Sequence, residues 1–185
     1  REMARREHLP VSEKKDSTGV CFIGERHFKS FLSEYLPAQP GDMVTEDGRV
    51  IGRHDGLMYY TIGQRRGLGI GGCGDGRRWF VIDKDLAQNR LIVAQGEDCA
   101  RLFHREADAE ECTWISGCAP AEDGQVYPCQ ARLRHRQPLQ PCAFTLNGAT
   151  AHITFPEPQR AITPGQSVVF YNGDICLGGG IITSA

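Results

Sequence analysis

The sequence predicts a mainly β protein, in which a small central α+β domain is followed by an antiparallel β-barrel of about six strands. From Cys112 onwards, short apolar-containing runs alternate with turn residues. Asn147-Gly148 and Asn172-Gly173 both match two-residue type I′ hairpin turns. Short strands separated by turns of this kind are typical of a small closed or partly closed barrel.

Changes of pattern divide the chain into residues 1–36, 37–106 and 107–185. The first region is expected to hold a short helix, a linker and a cysteine-containing segment that leads into an amphipathic helix. The chain starts without an initiator methionine, so the short helix is expected to be the end of a domain of a longer protein. The second boundary falls in a polar and charged stretch, residues 97–110.

Two hairpin-like units are predicted in the central region, from residues 42–52 and 79–95. Asp47-Gly48 lies between the two runs of the first unit, and Asp-Gly in that position is a strong hairpin signal. Residues 54–70 fit either a short helix or a strand.

A glycine-rich stretch at residues 67–72 fits the pattern G-x-G-x-x-G of dinucleotide-binding turns. Such a turn opens a helix, whereas residues 73–78 continue as a loop pattern. The stretch is therefore predicted to be a loop and not a nucleotide site.

The barrel strands are predicted from apolar runs and the turns between them. The candidates are residues 112–116, 125–136, 142–146, 149–155, 167–171 and 174–177, with 180–183 as a seventh. In the second of these, period-two alternation places Arg132, Arg134 and Arg136 on one side. Adjacent guanidinium groups repel one another unless an anion offsets them, and a phosphate backbone is one candidate. A solvated strand face paired with nearby carboxylates is the alternative.

Cys21 is the candidate nucleophile. It lies a few residues before an amphipathic helix that is predicted to begin near Glu25, and a helix N-terminus carries partial positive charge. Arg26, His27 and Lys29 add charge of the same sign. Both effects favour the thiolate, which is the nucleophilic form. The alternative is a small buried hydrophobic residue, the common role of a free cysteine between apolar neighbours.

Composition restricts the class of protein. The net charge of −2, the hydrophobic fraction of 40% and the mean hydropathy of −0.38 are those of a soluble globular chain. No apolar run approaches the ~18 residues that span a membrane, so a cytoplasmic protein without membrane contact is expected. The eight cysteines are scattered without any C-x-x-C pair, which argues against a disulfide scaffold, a structural zinc site and a thiol-redox protein.

Several longer motifs occur in a fixed order along the chain. They are D-S-x-G-x-C-F-I at residues 16–23, Y-L-P-x-x-x-G at 35–41, Y-T-I-G-Q-R-R-G-L-G at 60–69, A-x-T-P-G-Q at 161–166 and C-L-G-G-G at 176–180. Through these motifs, nearly the whole chain resembles the bacterial tRNA-specific 2-thiouridylases. The resemblance implies that the barrel is similar to the β-barrel domain of translation elongation factors.

The resemblance implies a role for Cys21. In that family the matching cysteine receives sulfur as a persulfide and delivers it to C2 of the adenylated wobble uridine of tRNA, after which it forms a disulfide with a first catalytic cysteine. That cysteine belongs to an N-terminal nucleotide-binding domain with an S-G-G-x-D-S loop, which nothing in this sequence resembles. ATP and Mg²⁺ are therefore expected only in the full-length enzyme. This chain alone is expected to bind neither and to be inactive.

The resemblance also implies partners and a tRNA surface. The implied contact residues are Arg134, His135 and Arg136, which match a basic R-Y-R-like motif, together with Gln166, Arg65 and Arg66. A histidine stands where the family often has tyrosine, and it can still stack on a base or bind phosphate. The implied partners are the tRNAs for lysine, glutamate and glutamine, a sulfur-relay protein or cysteine desulfurase, and the N-terminal domain. The competing hypothesis is a non-catalytic RNA-binding barrel in which Cys21 is merely buried.

Overall fold

The computed structural model describes residues 1–13, 36–71, 75–135 and 137–185. The chain divides into two compact units, Arg1–Ala38 and Gln39–Ala185. In the first unit, helix α1 spans Glu2–Arg6 and has no buried residue, which confirms the short helix expected near the start of the chain. Cys21 and the amphipathic helix predicted after it lie outside the described residues.

A mixed four-stranded sheet opens the second unit. Its strands are β1 Gly41–Val44, β2 Val50–His54, β3 Trp79–Asp85 and β4 Arg90–Gln95, in the order β2-β1-β4-β3. The β1–β2 and β3–β4 pairs are antiparallel, which confirms both predicted hairpin units. β1 also pairs with β4 in parallel, with Met43 opposite Leu91. This pairing joins the two hairpins into one sheet.

The segment between the hairpins is mostly loop. It contains one 3-10 turn, Leu57–Tyr59. Of the two predicted alternatives, a short helix is therefore correct for these residues and a strand is not. Leu68 and Ile70 are buried against one face of the sheet. Gly67 and Gly69 adopt positive φ angles of 77° and 68°, which glycine tolerates without steric cost. The described part of the glycine-rich stretch is therefore a covering loop, as predicted.

The opposite face of the sheet packs on the beginning of the barrel. Phe80 and Ile82 of β3 form a buried cluster with Leu102 and Ala161. Leu102 ends a second 3-10 turn, Ala100–Leu102, which leads directly into the first barrel strand. The sheet and the barrel thus share one apolar cluster.

Six antiparallel strands form the closed barrel, as predicted. They are β5 Phe103–Trp114, β6 Val126–Arg132, β7 Gln140–Asn147, β8 Thr150–Arg160, β9 Ser167–Asn172 and β10 Ile175–Ser184. Their order around the barrel is β10-β5-β8-β7-β6-β9. Because the sheet closes on itself, every barrel strand has a partner on both sides.

Aromatic side chains fill the barrel interior. The ring centroids of Phe144 and Phe170 lie 4.7 Å apart, and both rings are almost fully buried. Trp114 stacks on both rings at 5.5 and 5.9 Å, and Tyr127 stacks on Phe144 at 5.4 Å. Aromatic pairs at such distances stabilise a core beyond the area that they bury.

Several barrel strands differ from the prediction in their bounds. β8 runs to Arg160, five residues beyond its predicted end at residue 155. β5 begins at Phe103, ahead of the predicted start at residue 112 and of the predicted domain boundary at 106/107. The sequence did not reveal this earlier start because the buried positions there include Ala107 and Ala109, whose small side chains give a weak apolar signal. β10 joins the two segments predicted at 174–177 and 180–183 into one strand across the glycine run.

The two Asn-Gly hairpins are present, but their turn type is not the predicted one. Asn147 still pairs with Thr150, so the loop consists of Gly148 and the residue after it. Gly148 has a φ of 60°, whereas the second loop residue does not have a positive φ. Asn172 and Gly173, with a φ of 58°, repeat this arrangement before β10. A positive φ at the first loop residue alone is typical of type II′ turns rather than type I′.

Candidate functional site

Arg134 connects three of the motifs found in the sequence. Its Nη2 atom donates hydrogen bonds to the carbonyl oxygen of Ile62 (3.3 Å), to the carbonyl oxygen of Ala161 (2.7 Å) and to Oγ1 of Thr163 (3.3 Å). Ile62 belongs to the 60–69 motif, and the other two acceptors belong to the 161–166 motif. We call the three segments and their shared guanidinium the Arg134 junction.

The first segment is a tight turn that is attached to β3. The Gln64 side chain accepts a bond from the Thr61 N–H (3.0 Å) and donates one to the Arg66 carbonyl (2.9 Å). Its backbone carbonyl accepts from the Val81 N–H at 3.0 Å. The amide of Gln64 is thus used inside the turn, whereas the side chains of Arg65 and Arg66 are exposed.

The second segment is a turn at the end of β8. The Gln166 N–H donates to the Thr163 carbonyl at 3.2 Å, and Gly165 has a φ of 83°. Proline followed by a glycine with positive φ is the pattern of a type II turn. The backbone carbonyl of Gln166 accepts a hydrogen bond from the Ile182 N–H at 2.8 Å, which anchors the turn to β10. The side chain of Gln166 is half-buried.

The two turns approach each other closely at Gly63. A Cβ atom added there would lie 2.7 Å from the Cβ of Ala161, and the φ of Gly63 is 80°. Both the space and the backbone angle therefore require glycine at this position. The close approach explains how one guanidinium reaches carbonyl groups of both turns.

The third segment follows β6, and here a sequence prediction is wrong. β6 ends at Arg132 and does not continue to residue 136, because Gln137 folds back: its side chain accepts from the Leu133 N–H and its own N–H donates to the Arg134 carbonyl. Period-two alternation therefore does not place Arg132 and Arg134 side by side on a strand face. His135 is exposed in this turn, and Arg136 lies outside the described residues.

The junction carries positive charge, and no described carboxylate pairs with it. Burial, followed by the nearby charge of Arg160, lowers the pKa of Arg134. An arginine remains protonated in spite of such a shift. Four arginines lie in or next to the junction segments, namely Arg65, Arg66, Arg132 and Arg134, and we call them together with His135 and Gln166 the candidate RNA surface. Within the described residues, no carboxylate forms an ion pair with any of these four arginines.

Arg132 is the least satisfied member of this group. Its guanidinium lies 5.5 Å from the ring centroid of Tyr171, in cation–π geometry. Its Nε atom is buried and has no hydrogen-bond partner among the described residues. A buried donor of this kind costs free energy unless a ligand or solvent satisfies it.

Sequence reasoning found the motifs but missed their connection. Thr163 and Ile62 were not predicted as partners of Arg134, because no local pattern reveals a contact between turns that lie far apart in the chain. It also missed the contact between the free thiols of Cys129 and Cys142, whose sulfur atoms lie 3.5 Å apart.

Neither a metal-ligand cluster nor a membrane-spanning helix occurs in the described residues. This part of the chain contains no group of three or more side chains arranged to hold a metal ion. No helix in the described ranges is both long and apolar enough to cross a membrane.

Family models match most of the chain. A model described as the tRNA methyl transferase PRC-barrel domain matches residues 29–95, and one described as the Aminomethyltransferase beta-barrel domain matches residues 104–182. The first match includes the sheet and its covering loop, and the second covers nearly all of the closed barrel.

Curated relatives match the chain from end to end. The tRNA-specific 2-thiouridylase MnmA of Francisella philomiragia is 54% identical over 185 residues, which are 98% of this chain and 51% of that protein. The protein of the same name from Psychrobacter sp. is 52% identical over 191 residues, with 100% of this chain and 48% of that protein covered. A third, from Francisella tularensis, is 55% identical, with 98% and 51% covered. The chain thus spans about half the length of these relatives, and it belongs to the family of the tRNA-specific 2-thiouridylases.

Proposed function

We propose that this chain is part of an enzyme that transfers sulfur to C2 of the wobble uridine of tRNA. In this proposal, Cys21 carries the sulfur as a persulfide and the Arg134 junction contributes to the tRNA-binding surface. Family membership and the names of the relatives support the reaction. The observation that carries the binding role is the convergence of three basic or polar turns on one guanidinium that has no carboxylate partner among the described residues.

The residues of the junction have separate tasks in this proposal. The three hydrogen bonds that Arg134 forms within the described residues all use Nη2. In this proposal its Nε and Nη1 bind a phosphate oxygen while Nη2 holds the turns together. Arg65 and Arg66 supply exposed charge for the backbone, and His135 and Gln166 supply hydrogen-bonding groups. Such contacts position a nucleic acid without reading its sequence.

The sulfur chemistry is assigned to Cys21 and to the rest of the full-length enzyme. A sulfur-relay protein or a cysteine desulfurase would load the Cys21 thiolate with a persulfide sulfur. The terminal sulfur would then attack C2 and displace the adenylated oxygen as AMP, while the catalytic cysteine of the N-terminal domain would form a disulfide with Cys21 and so release the sulfur. ATP supplies that activation by adenylating the oxygen, with Mg²⁺, and we assign no residue of this chain to either. The tRNAs for lysine, glutamate and glutamine are the proposed substrates.

Salt-dependent binding tests the proposed surface. We expect the chain to bind tRNA with an affinity that falls steeply as salt rises, because each bound phosphate releases counterions. The double variant Arg65→Ala/Arg66→Ala should weaken binding and lower the salt slope by about 1 for each phosphate that is no longer bound. The matched control Arg49→Ala/Arg90→Ala removes the same charge from the sheet. Equal weakening in both variants, or binding that ignores salt, would refute the assignment.

Sulfur loading tests Cys21 separately. After incubation with a cysteine desulfurase and cysteine, peptide mass spectrometry should show one added sulfur atom on the peptide that contains Cys21, and Cys21→Ser should show none. In the full-length enzyme the same substitution should abolish thiolation but leave tRNA affinity nearly unchanged. Normal tRNA binding without any sulfur on Cys21 would instead support a non-catalytic RNA-binding barrel.

A further inference from the structure

Two cysteines face each other across neighbouring barrel strands. Cys129 on β6 and Cys142 on β7 are directly opposite in the antiparallel register. Their Sγ atoms lie 3.5 Å apart, in hydrogen-bonding contact. Both pack on the barrel core, but Cys142 is only 7% exposed whereas Cys129 is partly exposed.

The backbone already has the geometry of a disulfide. Directly opposed residues of antiparallel strands have Cα atoms about 4.5 to 5.5 Å apart. Disulfides join Cα atoms that are about 4.4 to 6.8 Å apart. The two sulfur atoms can therefore bond after small side-chain rotations, without a shift of either strand.

The two thiols have unequal roles. The contact with Cys142 lowers the pKa of Cys129, which favours Cys129 as the thiol that ionises. The same contact, together with burial, raises the pKa of Cys142. Because Cys129 is also the more exposed of the two, an oxidant from solvent meets the nucleophilic sulfur first.

The remaining described cysteines lack this arrangement. Cys112 is buried, and burial raises its pKa. Cys99, Cys118 and Cys176 have no thiol partner within the described residues. The pair on β6 and β7 is therefore distinguished by its geometry and not by the mere presence of cysteine.

We propose that Cys129 and Cys142 form an oxidisable dithiol site on the barrel, which a hydroperoxide converts into a disulfide. The Cys129 thiolate attacks one oxygen of hydrogen peroxide, the O–O bond breaks, and sulfenic acid and hydroxide form; the hydroxide takes up the proton that the thiol released. The Cys142 sulfur then attacks the sulfenic sulfur, and water leaves. In total, two thiols and one peroxide give one disulfide and two waters.

The disulfide would have a defined place relative to the candidate RNA surface. It closes the loop of residues 130–141, which contains Arg134 and His135. The two cysteines thus flank this loop along the chain but are not part of the Arg134 junction. The chemistry of the pair does not depend on the proposed sulfur transfer.

Peroxide titration followed by peptide mapping tests the proposal. The reduced chain is treated with hydrogen peroxide, alkylated and digested with trypsin and an endoproteinase that cleaves after glutamate. Trypsin cleaves after Arg132 and Arg136, which separates Cys129 from Cys142, and cleavage after Glu122 separates Cys129 from Cys112 and Cys118. Fragment spectra then distinguish Cys112 from Cys118. We expect a cross-linked pair of peptides that contains Cys129 and Cys142 and has the mass of the two reduced peptides minus two hydrogen atoms. This pair should appear at a lower peroxide concentration than any change at Cys112. It should disappear after treatment with a dithiol reductant.

Two variants and a control define the order of steps. Cys142→Ser should leave a sulfenic acid on Cys129 that dimedone traps, whereas Cys129→Ser should leave Cys142 unmodified. Cys112→Ser is the control and should retain the cross-link. The proposal is overturned if both thiols stay reduced while other cysteines oxidise, if Cys129 pairs with a different cysteine, or if the cross-link forms only after denaturation. The wild-type result alone decides these outcomes if a variant does not fold.

Discussion

The barrel and the four-stranded sheet bury their apolar residues in different ways. The barrel encloses its core between its own strands, with Phe144 and Phe170 at the centre. The sheet is open and has two faces to cover. A loop that includes Leu68 covers one face, and the start of the barrel, with Leu102, covers the other.

This difference teaches that the sheet depends on the barrel more than the barrel depends on the sheet. Loss of the shared cluster would expose Phe80 and Ile82 but would leave the aromatic core of the barrel intact. The Arg134 junction lies where the two regions meet, so damage to that meeting point should also disturb the candidate RNA surface. Single substitutions can test this asymmetry, and the largest effect is expected in the barrel core.

Phe144→Ala should destabilise the barrel most. It removes a fully buried ring that stacks on Trp114 and packs at a tilt against Phe170. Phenylalanine-to-alanine changes in cores cost about 3 to 5 kcal/mol. Urea unfolding followed by tryptophan fluorescence measures the change in stability. The matched control is Phe103→Ala, because that ring is 37% exposed and its removal should cost far less. Equal destabilisation would contradict the assignment of the barrel core.

Leu102→Ala should affect the sheet before the barrel. Leu102 is fully buried in the shared cluster, and truncation of a buried leucine costs about 2 to 5 kcal/mol. Hydrogen exchange should show reduced protection in β3 and β4 while β7 and β8 stay protected. Leu86→Ala, at a position that is 77% exposed, is the control. A uniform decrease of protection in both regions would show that they unfold as one unit.

Arg134→Ala should lower stability and tRNA affinity together. The change leaves the carbonyl groups of Ile62 and Ala161 without their charged donor, which should cost about 1 to 3 kcal/mol. Arg66→Ala should lower tRNA affinity alone, because its exposed side chain forms no ion pair within the described chain. Chemical unfolding and filter binding on the same two variants separate the effects. A fully stable Arg134→Ala protein would break the proposed coupling.

Asp108→Asn should have the smallest effect, confined to the barrel surface. The Asp108 carboxylate accepts hydrogen bonds from Ser184 Oγ (2.6 Å) and His152 Nδ1 (2.8 Å), and these contacts lower the pKa of Asp108. Because the pKa in the folded state lies below that in the unfolded state, the stabilisation is present at neutral pH and is lost as the pH falls below about 4. The site is largely exposed, so the difference at pH 7 should be about 0.5 kcal/mol or less.

The pH dependence has a matched control. Asp174→Asn removes the same charge from an exposed carboxyl on the barrel. We expect thermal unfolding to separate the two variants at pH 7 and to bring them together near pH 3. A separation that grows as the pH falls would mean that the Asp108 contacts do not favour the ionised form.

The sequence reveals local features of this fold better than distant ones. The Asp47-Gly48 turn and the two Asn-Gly hairpins are encoded by adjacent residues, so their existence was predictable, although the II′ geometry depends on the register of the flanking strands. The end of β6 at Arg132 was missed because the apolar and basic alternation continues past it, whereas the Gln137 side chain ends the strand through hydrogen bonds.

Distant pairings leave no local pattern. Nothing near Met43 indicates that it lies opposite Leu91, since parallel strands are joined by long connections. The candidate site shows the same limit: the three motifs were recognisable, but their meeting at Arg134 depends on the packing of the sheet on the barrel. The predicted roles of Cys21 and Arg136 lie outside the described residues and remain predictions.

The closing strand of the barrel has a consequence for biosynthesis. β10 follows the other five barrel strands in chain order, and it pairs with both β5 and β9. While a ribosome is still translating β10, β5 and β9 each present an open edge of unpaired backbone groups, which can recruit strands from other chains. The nascent chain is therefore most vulnerable to aggregation just before β10 emerges from the exit tunnel, and a stop codon before Ile175 should yield insoluble product.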